Sequence, residues 1–398
     1  MHKVASPVET PAEAASPYRD PEPFHVTAQD QALCFFPSGS GRLERLLKLI
    51  DEAETSLKLA FYIYADDACG RKVRETLVAA ARRWVDVSLI VDGFGAGIGE
   101  DFFAELEAAG GCFCIFSPKW TPAYVIRNHQ KIVIADDRIA MLGGFNIEED
   151  YFASPENNGW RDLAFTLEGS LVARVSAWFE QLEQWTRNPR AHFRDIRRRV
   201  RKWDPGTAPK QILIGGPTIG LSTWSRSISR DLIRGQKLDM IMAYFAPAHR
   251  LRHRIRRIAA KGETRLVLAG KSDNPATIGA SRSLYRKLLR AGAHIYEFQP
   301  CKLHTKLIVL DDTVYLGSAN FDMRSLYVNL EIVVRIEDHA LADRMREFVT
   351  EHIPASLEVT PELYREWATP LNRVRWWLSW FLTSVVDYTV SRNVNLGL

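Results

Sequence analysis

Residues 128–136 read NHQKIVIAD, and residues 303–311 read LHTKLIVLD. Each stretch places His and Lys two positions apart at the start of an apolar run that ends in Asp. Alternate residues of a strand lie on one face, so the His and the Lys of each stretch are predicted to point the same way and to form a cationic pocket. The sequences GGFN at 143–146 and GSAN at 317–320 follow at nearly the same distance. This recurrence indicates two related halves.

The segments before the two stretches also repeat in order. Strand, helix, strand and helix are predicted at 56–64, 71–83, 85–92 and 102–109, and again at 238–245, 251–260, 264–269 and 281–290. Strands that alternate with helices of about ten or more residues favour a parallel sheet covered by helices. The sequence therefore predicts an α/β protein with two similar halves, each a mostly parallel sheet flanked by helices.

Composition limits the possible classes of protein. Of 398 residues, 46% are apolar, so a large buried core is available and disorder is excluded as the main state. Lys and Arg number 52 against 48 Asp and Glu, and this net charge of +4 argues against a uniformly basic coat for nucleic acid. The five cysteines include no pair with the two-residue gap that opens a zinc site. We expect a reducing compartment and no structural metal.

The duplicated stretches suit an attack on a phosphodiester. The attacking group should be uncharged, and the phosphoryl oxygens should be neutralised by fixed donors. One neutral histidine would attack phosphorus while the other, protonated, gives its proton to the leaving alcohol. Lys131 and Lys306 are expected to supply charge for the oxygens, with the amides of Asn146 and Asn320 as further phosphate-binding donors. No metal or cofactor is expected, because each lysine would repel a divalent cation.

The candidate catalytic residues are the repeated ones: His129, Lys131, Asp136, His304, Lys306 and Asp311. Asp136 and Asp311 follow their lysines by five residues, roughly 16 Å along an extended strand, so a structural role is expected for them.

Each catalytic histidine needs a partner, usually a carboxylate, on its far ring nitrogen. The sequence WRDLAFTLEG at 160–169 aligns with NLEIVVRIED at 329–338, which places Asp162 opposite Glu331. We predict that Asp162 orients His129 and that Glu331 orients His304. The alternative is that both are surface carboxylates at the start of a strand.

This arrangement resembles the phospholipase D superfamily, in which paired His-x-Lys-x4-Asp motifs meet between two similar halves to form one active site. The resemblance covers residues 40–370 and looks closest to the bacterial cardiolipin synthases, through YFAP at 244–247, LHTKLIVLDD at 303–312 and GSANFDMRS at 317–325. It implies a phosphohistidine intermediate, with His129 as nucleophile and His304 as general acid and base. The residues alone leave the reverse assignment open.

The resemblance implies a phosphatidyltransferase that joins two phosphatidylglycerol molecules into cardiolipin and releases glycerol. Hydrolysis to phosphatidic acid, a phosphodiesterase or nuclease of the same superfamily, and a catalytically idle lipid-binding scaffold are the alternatives. The expected partners are an anionic phospholipid substrate and a membrane surface, with no nucleic acid. The implied location is peripheral, at the cytoplasmic face of the bacterial inner membrane. One chain supplies both motifs, so no oligomer is needed to complete the site.

We divide the chain into a flexible tail (1–29), a first half (30–190), a basic linker (191–211), a second half (212–370) and a Trp-rich amphipathic segment (371–398). The apolar run of the last segment is interrupted at Asp387 after about eleven residues, which is too short to cross a bilayer. Three tryptophans beside Arg373 and Arg375 suit a helix in the headgroup layer. A core helix that closes the fold is the alternative.

Two further features bear on function. The glycine-rich stretch 93–99 has Ile98 where a dinucleotide loop needs its third glycine, so we expect a mobile loop over the mouth of the active site. The basic runs 192–202 and 249–257 could attract anionic lipid headgroups, follow nucleic acid or simply face solvent. The Trp-rich segment favours lipid.

Overall fold

Two eight-stranded sheets, one from each half, form the centre of the computed structural model, which describes residues 18–117 and 126–386. The elements of the first half are β1 (Phe24–Ala28), β2 (Gln31–Phe36), α1 (Gly39–Glu52), β3 (Ser56–Phe61), α2 (Ala68–Arg82), β4 (Asp86–Asp92), a 3-10 turn (Glu100–Phe103), α3 (Ala104–Ala108), β5 (Cys112–Phe116), β6 (Ile132–Ala135), β7 (Ile139–Leu142), α4 (Glu149–Phe152), β8 (Ala164–Glu168), α5 (Val172–Arg187) and α6 (Phe193–Lys202). Its sheet has the order β1-β2-β8-β7-β6-β3-β4-β5.

The second half repeats this plan. Its elements are β9 (Lys210–Gly215), α7 (Thr223–Arg234), β10 (Lys237–Met242), β11 (Phe245–Ala246), α8 (His249–Lys261), β12 (Glu263–Ala269), α9 (Pro275–Leu289), β13 (His294–Phe298), β14 (Lys306–Leu310), β15 (Thr313–Gly317), β16 (Phe321–Asp322), α10 (Met323–Tyr327), β17 (Glu331–Glu337), α11 (His339–His352), β18 (Ser356–Glu358), α12 (Pro361–Trp367), α13 (Pro370–Phe381) and a π turn (Leu382–Val386). Its sheet has the order β18-β13-β12-β10-β14-β15-β17-β9.

The two similar α/β halves are confirmed, but the expectation of mostly parallel sheets is wrong. In each described sheet two pairings are parallel, β3 with β4 and β4 with β5, and β10 with β12 and β12 with β13. The other five pairings of each sheet are antiparallel. Helical crossovers give the parallel pairs, whereas β6–β7 and β14–β15 are hairpins, whose strands must run antiparallel.

A shared hydrophobic core joins the two sheets. Ile132 and Ile134 of β6 enter this core from one sheet, and Leu307 and Val309 of β14 enter it from the other. The intervening Val133 and Ile308 belong to separate outer cores beneath the surface helices of each half. Alternate side chains of a strand lie on opposite faces, so the apolar runs of the two motif strands fill two cores each. This packing fixes the motif strands of the two halves against each other.

The structure corrects the expected flexible tail over 1–29. Residues Phe24–Ala28 form β1, which pairs with β2, and the ring of Phe24 stacks on that of Phe35 with centroids 4.8 Å apart. The alternation of Phe24, Val26 and Ala28 with polar residues suits such an outer strand. Residues 1–17 lie outside the described residues.

The segment expected to be a linker, 191–211, contains α6 and the start of β9, and the described part of the Trp-rich segment, residues 371–386, is helical. In α6, which falls within 191–211, Ile196 and Val200 are buried in the shared core. In α13, Trp376 is buried while Trp377 is 53% exposed. One face of this helix therefore packs against the protein, as the core-helix alternative predicts, and the other face is exposed to solvent. Residues 387–398 lie outside the described residues. Within 18–117 and 126–386, none of the helices combines the length and apolar character needed to span a bilayer.

Candidate active site

A cavity of about 550 Å³ lies where the two halves meet, and both motif histidines line it. His129 and His304 each stand just before the first residues of a motif strand, β6 and β14. These two strands occupy equivalent positions in their sheets. In the first sheet β6 lies between β7 and β3, and in the second sheet β14 lies between β15 and β10. The parallel pairings begin at β3 and β10. The duplication therefore places the two histidines in one cavity rather than in two separate sites.

Short backbone bridges hold each motif to the opposite half. The N–H of His129 donates to the carbonyl of Leu330 at 3.0 Å, and the N–H of His304 donates to the carbonyl of Arg161 at 2.7 Å. Asn128 and Leu330 form one isolated parallel bridge, and Arg161 and Leu303 form the other. Each histidine therefore lies beside the start of the carboxylate-bearing strand of the other half.

The histidines are paired with carboxylates across the halves, so the predicted pairing is wrong in its partners. Nδ1 of His304 lies 2.6 Å from Oδ2 of Asp162, and Nδ1 of His129 lies 3.1 Å from Oε2 of Glu331. The sequence alignment correctly selected both carboxylates but matched each with the histidine of its own half. The backbone bridges cause the exchange, because they bring each motif to the other half's carboxylate.

Both Nδ1 atoms are occupied by carboxylates, which leaves Nε2 of each ring for chemistry. A carboxylate on Nδ1 selects the tautomer with the proton on that nitrogen and a lone pair on Nε2. Nε2 of His304 lies 3.5 Å from the hydroxyl of Tyr151, a residue that also lines the cavity. The geometry therefore gives the site two oriented imidazoles.

Burial and the two ammonium groups keep the histidines uncharged. Burial, with Lys131 and Lys306 nearby, lowers the pKa of His129 well below its ordinary value, and burial and Lys306 lower the pKa of His304. Burial likewise lowers the pKa of Lys131 to about 7, against the opposing effect of Glu331, and that of Lys306 to about 8, against Asp162. The site thus holds an excess of positive charge that a phosphodiester would offset.

The two carboxylates have different environments. At Asp162 burial opposes ionisation, but Lys306 and His304 outweigh it and lower the pKa of the carboxyl group. At Glu331 burial dominates and raises the pKa to about 8, although Lys131 and a hydrogen bond from Ser318 act against it. His304 therefore has the more strongly ionised partner.

The two glycine-containing turns also differ at one position beside the carboxylates. Ser318 of the second turn donates a hydrogen bond to Glu331. The first turn has Gly144 at the corresponding position, and a Cβ there would lie 2.5 Å from Oδ2 of Asp162 and 2.9 Å from Nζ of Lys306. The close approach of these charged groups requires glycine.

The lysines lie beneath the histidines rather than in the cavity wall. Nζ of Lys131 donates to the carbonyl of His129 at 2.7 Å, and Nζ of Lys306 donates to the carbonyl of His304. Both side chains are buried. Their charge is therefore held close to the ring and carboxylate of each pair.

Both predicted phosphate-binding amides line the cavity. Oδ1 of Asn146 accepts a hydrogen bond from the N–H of Ile63 at 3.1 Å, and its amide also bonds Tyr151. Oδ1 of Asn320 is buried and has no hydrogen-bond partner among the described residues. This unused oxygen is an acceptor and suits a hydroxyl group of a ligand, whereas a phosphoryl oxygen would need the Nδ2 donor of Asn320.

The structure places the motif aspartates far from the histidines, at the opposite ends of β6 and β14, so their inclusion in the catalytic set is corrected. The carboxylate of Asp136 accepts hydrogen bonds from the N–H groups of Glu54, Thr55 and Ser56 at 2.7–3.1 Å. Asp311 likewise binds the N–H groups of Gln236 and Lys237. Both aspartates stand at positive φ in the hairpin turn, where the loop lengths of the two halves differ by one residue. They hold each hairpin to the turn before the first parallel strand.

Sequence reasoning missed the aromatic residues around the histidines. The ring of His304 is flanked by Tyr151 and Trp160 at 5.1 Å and by Tyr244 at 6.5 Å, all measured between centroids. Tyr62 lies 5.1 Å from His129. Tyr244 belongs to the quoted YFAP string and Trp160 to the aligned stretch 160–169, but nothing in the sequence indicated that any of these rings would lie beside a histidine.

The glycine-rich stretch 93–99 lies behind the wall of the cavity. A Cβ on Gly95 would lie 2.4 Å from the carbonyl oxygen of Tyr62, and the guanidinium of Arg127 stacks over the ring of Phe94 at 4.3 Å. Tyr62 and Arg127 line the cavity, whereas the described residues of this stretch do not. The expected loop over the mouth therefore supports two wall residues instead.

Comparison with known proteins agrees with this geometry. A family model described as "Cardiolipin synthase, PLD-like domain" matches residues 46–183 and 231–353. A cardiolipin synthase of Clostridium perfringens strain 13 is 30% identical over 341 residues, covering 81% of this chain and 70% of that protein. Cardiolipin synthase B of Escherichia coli K12 is 29% identical over 351 residues, covering 83% of this chain and 81% of that protein.

Solved structures show the same fold at low sequence identity. Phosphatidylserine synthase from Haemophilus influenzae superposes with a TM-score of 0.73 at 14% identity, covering 93% of this chain and 96% of that one. This likeness concerns the arrangement of the two halves, since the sequences have diverged widely.

Proposed function

The chain belongs to the phospholipase D-like family of cardiolipin synthase domains, and on that premise we propose that it is a phosphatidyltransferase that forms cardiolipin from two phosphatidylglycerol molecules. The observation that carries this proposal is the pair of crossed histidine–carboxylate contacts in one cavity. The relatives named as cardiolipin synthases support the choice of substrate. An exchange of one phosphodiester for another consumes no nucleotide.

In the first step Nε2 of His129 attacks the phosphorus of one phosphatidylglycerol. A bond forms between that nitrogen and phosphorus, and the bond from phosphorus to the glycerol oxygen breaks. His304, which takes up a proton when the anionic substrate binds, transfers it from Nε2 to the departing glycerol oxygen, so free glycerol leaves and a phosphatidyl-histidine remains. Lys131, Lys306 and Asn320 stabilise the phosphoryl oxygens.

In the second step the chemistry runs in reverse with a different alcohol. The terminal hydroxyl of a second phosphatidylglycerol gives its proton to Nε2 of His304 and attacks the phosphorus. The bond from phosphorus to His129 breaks, cardiolipin is released, and both histidines return to their starting protonation states. Water in place of the second lipid would give phosphatidic acid, which is the competing reaction.

The carboxylates support His304 as the acid. A general acid is held protonated by an ionised partner, and Asp162, with its lowered pKa, is the stronger anion of the two. Glu331 has a raised pKa and also accepts a hydrogen bond from Ser318, so it stabilises an imidazolium at His129 less well. A nucleophile that stays neutral suits that environment. Binding of the anionic substrate in the cavity above the two ammonium groups then raises the proton affinity of His304.

We further propose that the enzyme works as a peripheral protein at the cytoplasmic face of the bacterial inner membrane. Leu382 and Thr383, at the end of α13, line the active-site cavity, and Leu382 is among the exposed apolar residues of this segment. Apolar side chains beside the mouth of a lipid-binding cavity favour contact with acyl chains. The five free cysteines fit a reducing compartment.

The test uses the purified full chain with phosphatidylglycerol in mixed micelles, without nucleotide or added metal, and identifies the products by mass spectrometry. Cardiolipin and glycerol in equal amounts are expected. Phosphatidic acid as the sole lipid product would establish a hydrolase instead, and failure to convert any phospholipid while cleaving DNA would establish a nuclease. A His129→Asn, His304→Asn double variant serves as the control for contaminating activity.

A further inference from the structure

A second cavity, outside the active site, lies between α8, α9 and α13. Its volume is about 370 Å³, and its wall contains four cationic side chains and three indoles: Arg252, Arg286, Lys287, Arg373, Trp376, Trp377 and Trp380. We call it the basic–indole cleft. None of its described lining residues is acidic. The chemistry described above uses none of these side chains.

The cations of the cleft are not neutralised within the described chain. None of the four forms an ion pair with a described carboxylate, in contrast to Arg265, Arg282 and Arg335, which each pair with at least one. Burial lowers the pKa of Arg252, whose guanidinium lies 5.4 Å from the ring centroid of Trp380. Like charges gathered without a counterion repel one another, and an anion in the cleft would remove that cost.

Unused hydrogen-bond donors mark the same place. Nε of Arg252 and Nε1 of Trp380 are buried and have no acceptor among the described residues. Buried N–H groups are normally satisfied, so these two indicate an acceptor supplied from outside the chain. A phosphate group has the charge and the several acceptor oxygens that such donors require.

The surroundings select a lipid phosphate over a free one. The outer side of α13 exposes a row of apolar residues next to the cleft: Leu371, Val374, Trp377, Leu378 and Leu382. Indoles beside cationic side chains are the pattern of a surface that rests at the level of lipid headgroups. An anionic headgroup held in the cleft would have its acyl chains beside this apolar row.

The cleft and the active-site cavity are separate but share one helix, α9. Thr277 and Ala280 of α9 line the active-site cavity, and Arg286 and Lys287 of the same helix line the cleft. Seven residues separate Ala280 from Lys287, which corresponds to about 10 Å along a helix. A lipid bound in the cleft would therefore set the membrane surface beside the catalytic mouth.

We infer that the basic–indole cleft binds the phosphodiester headgroup of an anionic phospholipid that is not the reacting molecule, and thereby docks α13 on the bilayer beside the active site. The inference rests on the proposed function only in taking phospholipid as the ligand. It assigns the basic run 249–257, which contributes Arg252, to lipid contact.

The test compares two double variants with equal loss of charge. Arg286→Gln with Lys287→Gln removes two exposed cations of the cleft, whereas Lys72→Gln with Arg138→Gln removes two exposed cations of the first half. Flotation with phosphatidylcholine vesicles, with and without phosphatidylglycerol, measures docking. Turnover of a short-chain phosphatidylglycerol below its micellar concentration measures the active site without a membrane.

The cleft variant should bind phosphatidylglycerol-containing vesicles about tenfold or more weakly than the control variant, with unchanged turnover of the soluble substrate. Equal vesicle binding by the two variants would overturn the inference. Displacement of the wild-type protein from vesicles by millimolar inorganic phosphate would also overturn it, because free phosphate would then be the ligand. Binding of a DNA duplex is measured in parallel, and a loss by the cleft variant confined to DNA binding would overturn it as well. Absence of turnover in every variant, with vesicle binding still dependent on the cleft, would refute the proposed function and leave the inference standing.

Discussion

His304 Nδ1 and Asp162 Oδ2 lie 2.6 Å apart although 142 residues separate them in the chain, and they belong to different halves. The matching contact joins His129 to Glu331. Each catalytic histidine is therefore oriented by the half that does not carry it. The active site depends on the packing of both halves, and neither half contains a complete histidine–carboxylate pair.

The crossed pairing predicts which step each carboxylate supports. Asp162→Asn should impair proton transfer by His304 and lower kcat by about 10²–10⁴-fold on phosphatidylglycerol. With a p-nitrophenyl leaving group, which needs no proton, the loss in the rate of the first p-nitrophenol release should shrink to below about tenfold, because His304 acts as a base only in the second step. Glu331→Gln should reduce the rate on both substrates, because it acts on the nucleophile. The opposite pattern, with Glu331→Gln rescued by the better leaving group, would show that Glu331 serves the general acid, either because the pairs act within each half or because His129 is that acid.

The identity of the nucleophile can be tested by trapping the intermediate. His304→Asn should still release p-nitrophenol once per active site from the activated phosphatidyl ester and should then accumulate an acid-labile phosphohistidine. His129→Asn should release none and remain unlabelled. Mass spectrometry of the digested protein locates the modified residue. A stable adduct on residue 304 of the His129→Asn protein would reverse the assignment.

The buried lysines predict an unusual dependence on pH. The pKa of Lys131 is lowered to about 7 and that of Lys306 to about 8, so their charge is lost as pH rises through this range. For a soluble p-nitrophenyl ester, whose leaving group needs no proton from His304, kcat/KM should fall as pH rises above about 7, while the corresponding limb of kcat lies at higher pH because a bound phosphodiester favours the charged lysines. The lowered pKa of His129 keeps this nucleophile neutral, so kcat/KM should hold to below pH 6.5. A plateau in kcat/KM up to pH about 10, where an ordinary lysine titrates, would contradict this account.

The motif aspartates are predicted to affect stability rather than chemistry. Burial opposes ionisation of Asp136, but the N–H donors of Ser56, Thr55 and Glu54 outweigh it and lower the pKa to about 2. Asp136→Ala should lower the free energy of unfolding by roughly 1–3 kcal/mol, with kcat of the folded enzyme nearly unchanged. Because the folded pKa is depressed, the contribution of Asp136 is present above pH about 4 and is lost as pH falls towards 2. Denaturant unfolding of both proteins at pH 7 and pH 3 measures the difference, and a large fall in kcat without loss of stability would contradict it.

Gly144 is predicted to be required for activity because of its charged neighbours. In Gly144→Ala the new Cβ would meet the carboxylate of Asp162 at 2.5 Å and the ammonium of Lys306 at 2.9 Å. Displacement of Asp162 should lower kcat by about tenfold or more. Gly97→Ala is the matched control, since a Cβ there meets nothing within 4 Å. Equal kcat for the two variants would show that the Asp162 carboxylate tolerates the shift.

The motif strands, the two halves and most of the candidate site residues could be predicted from the sequence alone, because they depend on the spacing of nearby residues. The His-x-Lys repeats predicted the two motif strands, since residues two apart in a strand lie on one face. The duplicated order predicted two similar halves, and the aligned strands selected Asp162 and Glu331. The family resemblance drawn from these motifs is confirmed by the match to the cardiolipin synthase family model.

Tertiary structure alone decided which groups meet. The sheets became mostly antiparallel because hairpins follow the two helical crossovers, and a strand's direction relative to its neighbours is not encoded in its own pattern. The histidines exchanged carboxylates because the bridges at Leu330 and Arg161 join the two halves through backbone atoms, which any sequence supplies. The aromatic residues around His304 and the cations of the basic–indole cleft were gathered from distant segments. Such proximity results from packing, and it cannot be predicted from the spacing of these residues along the chain.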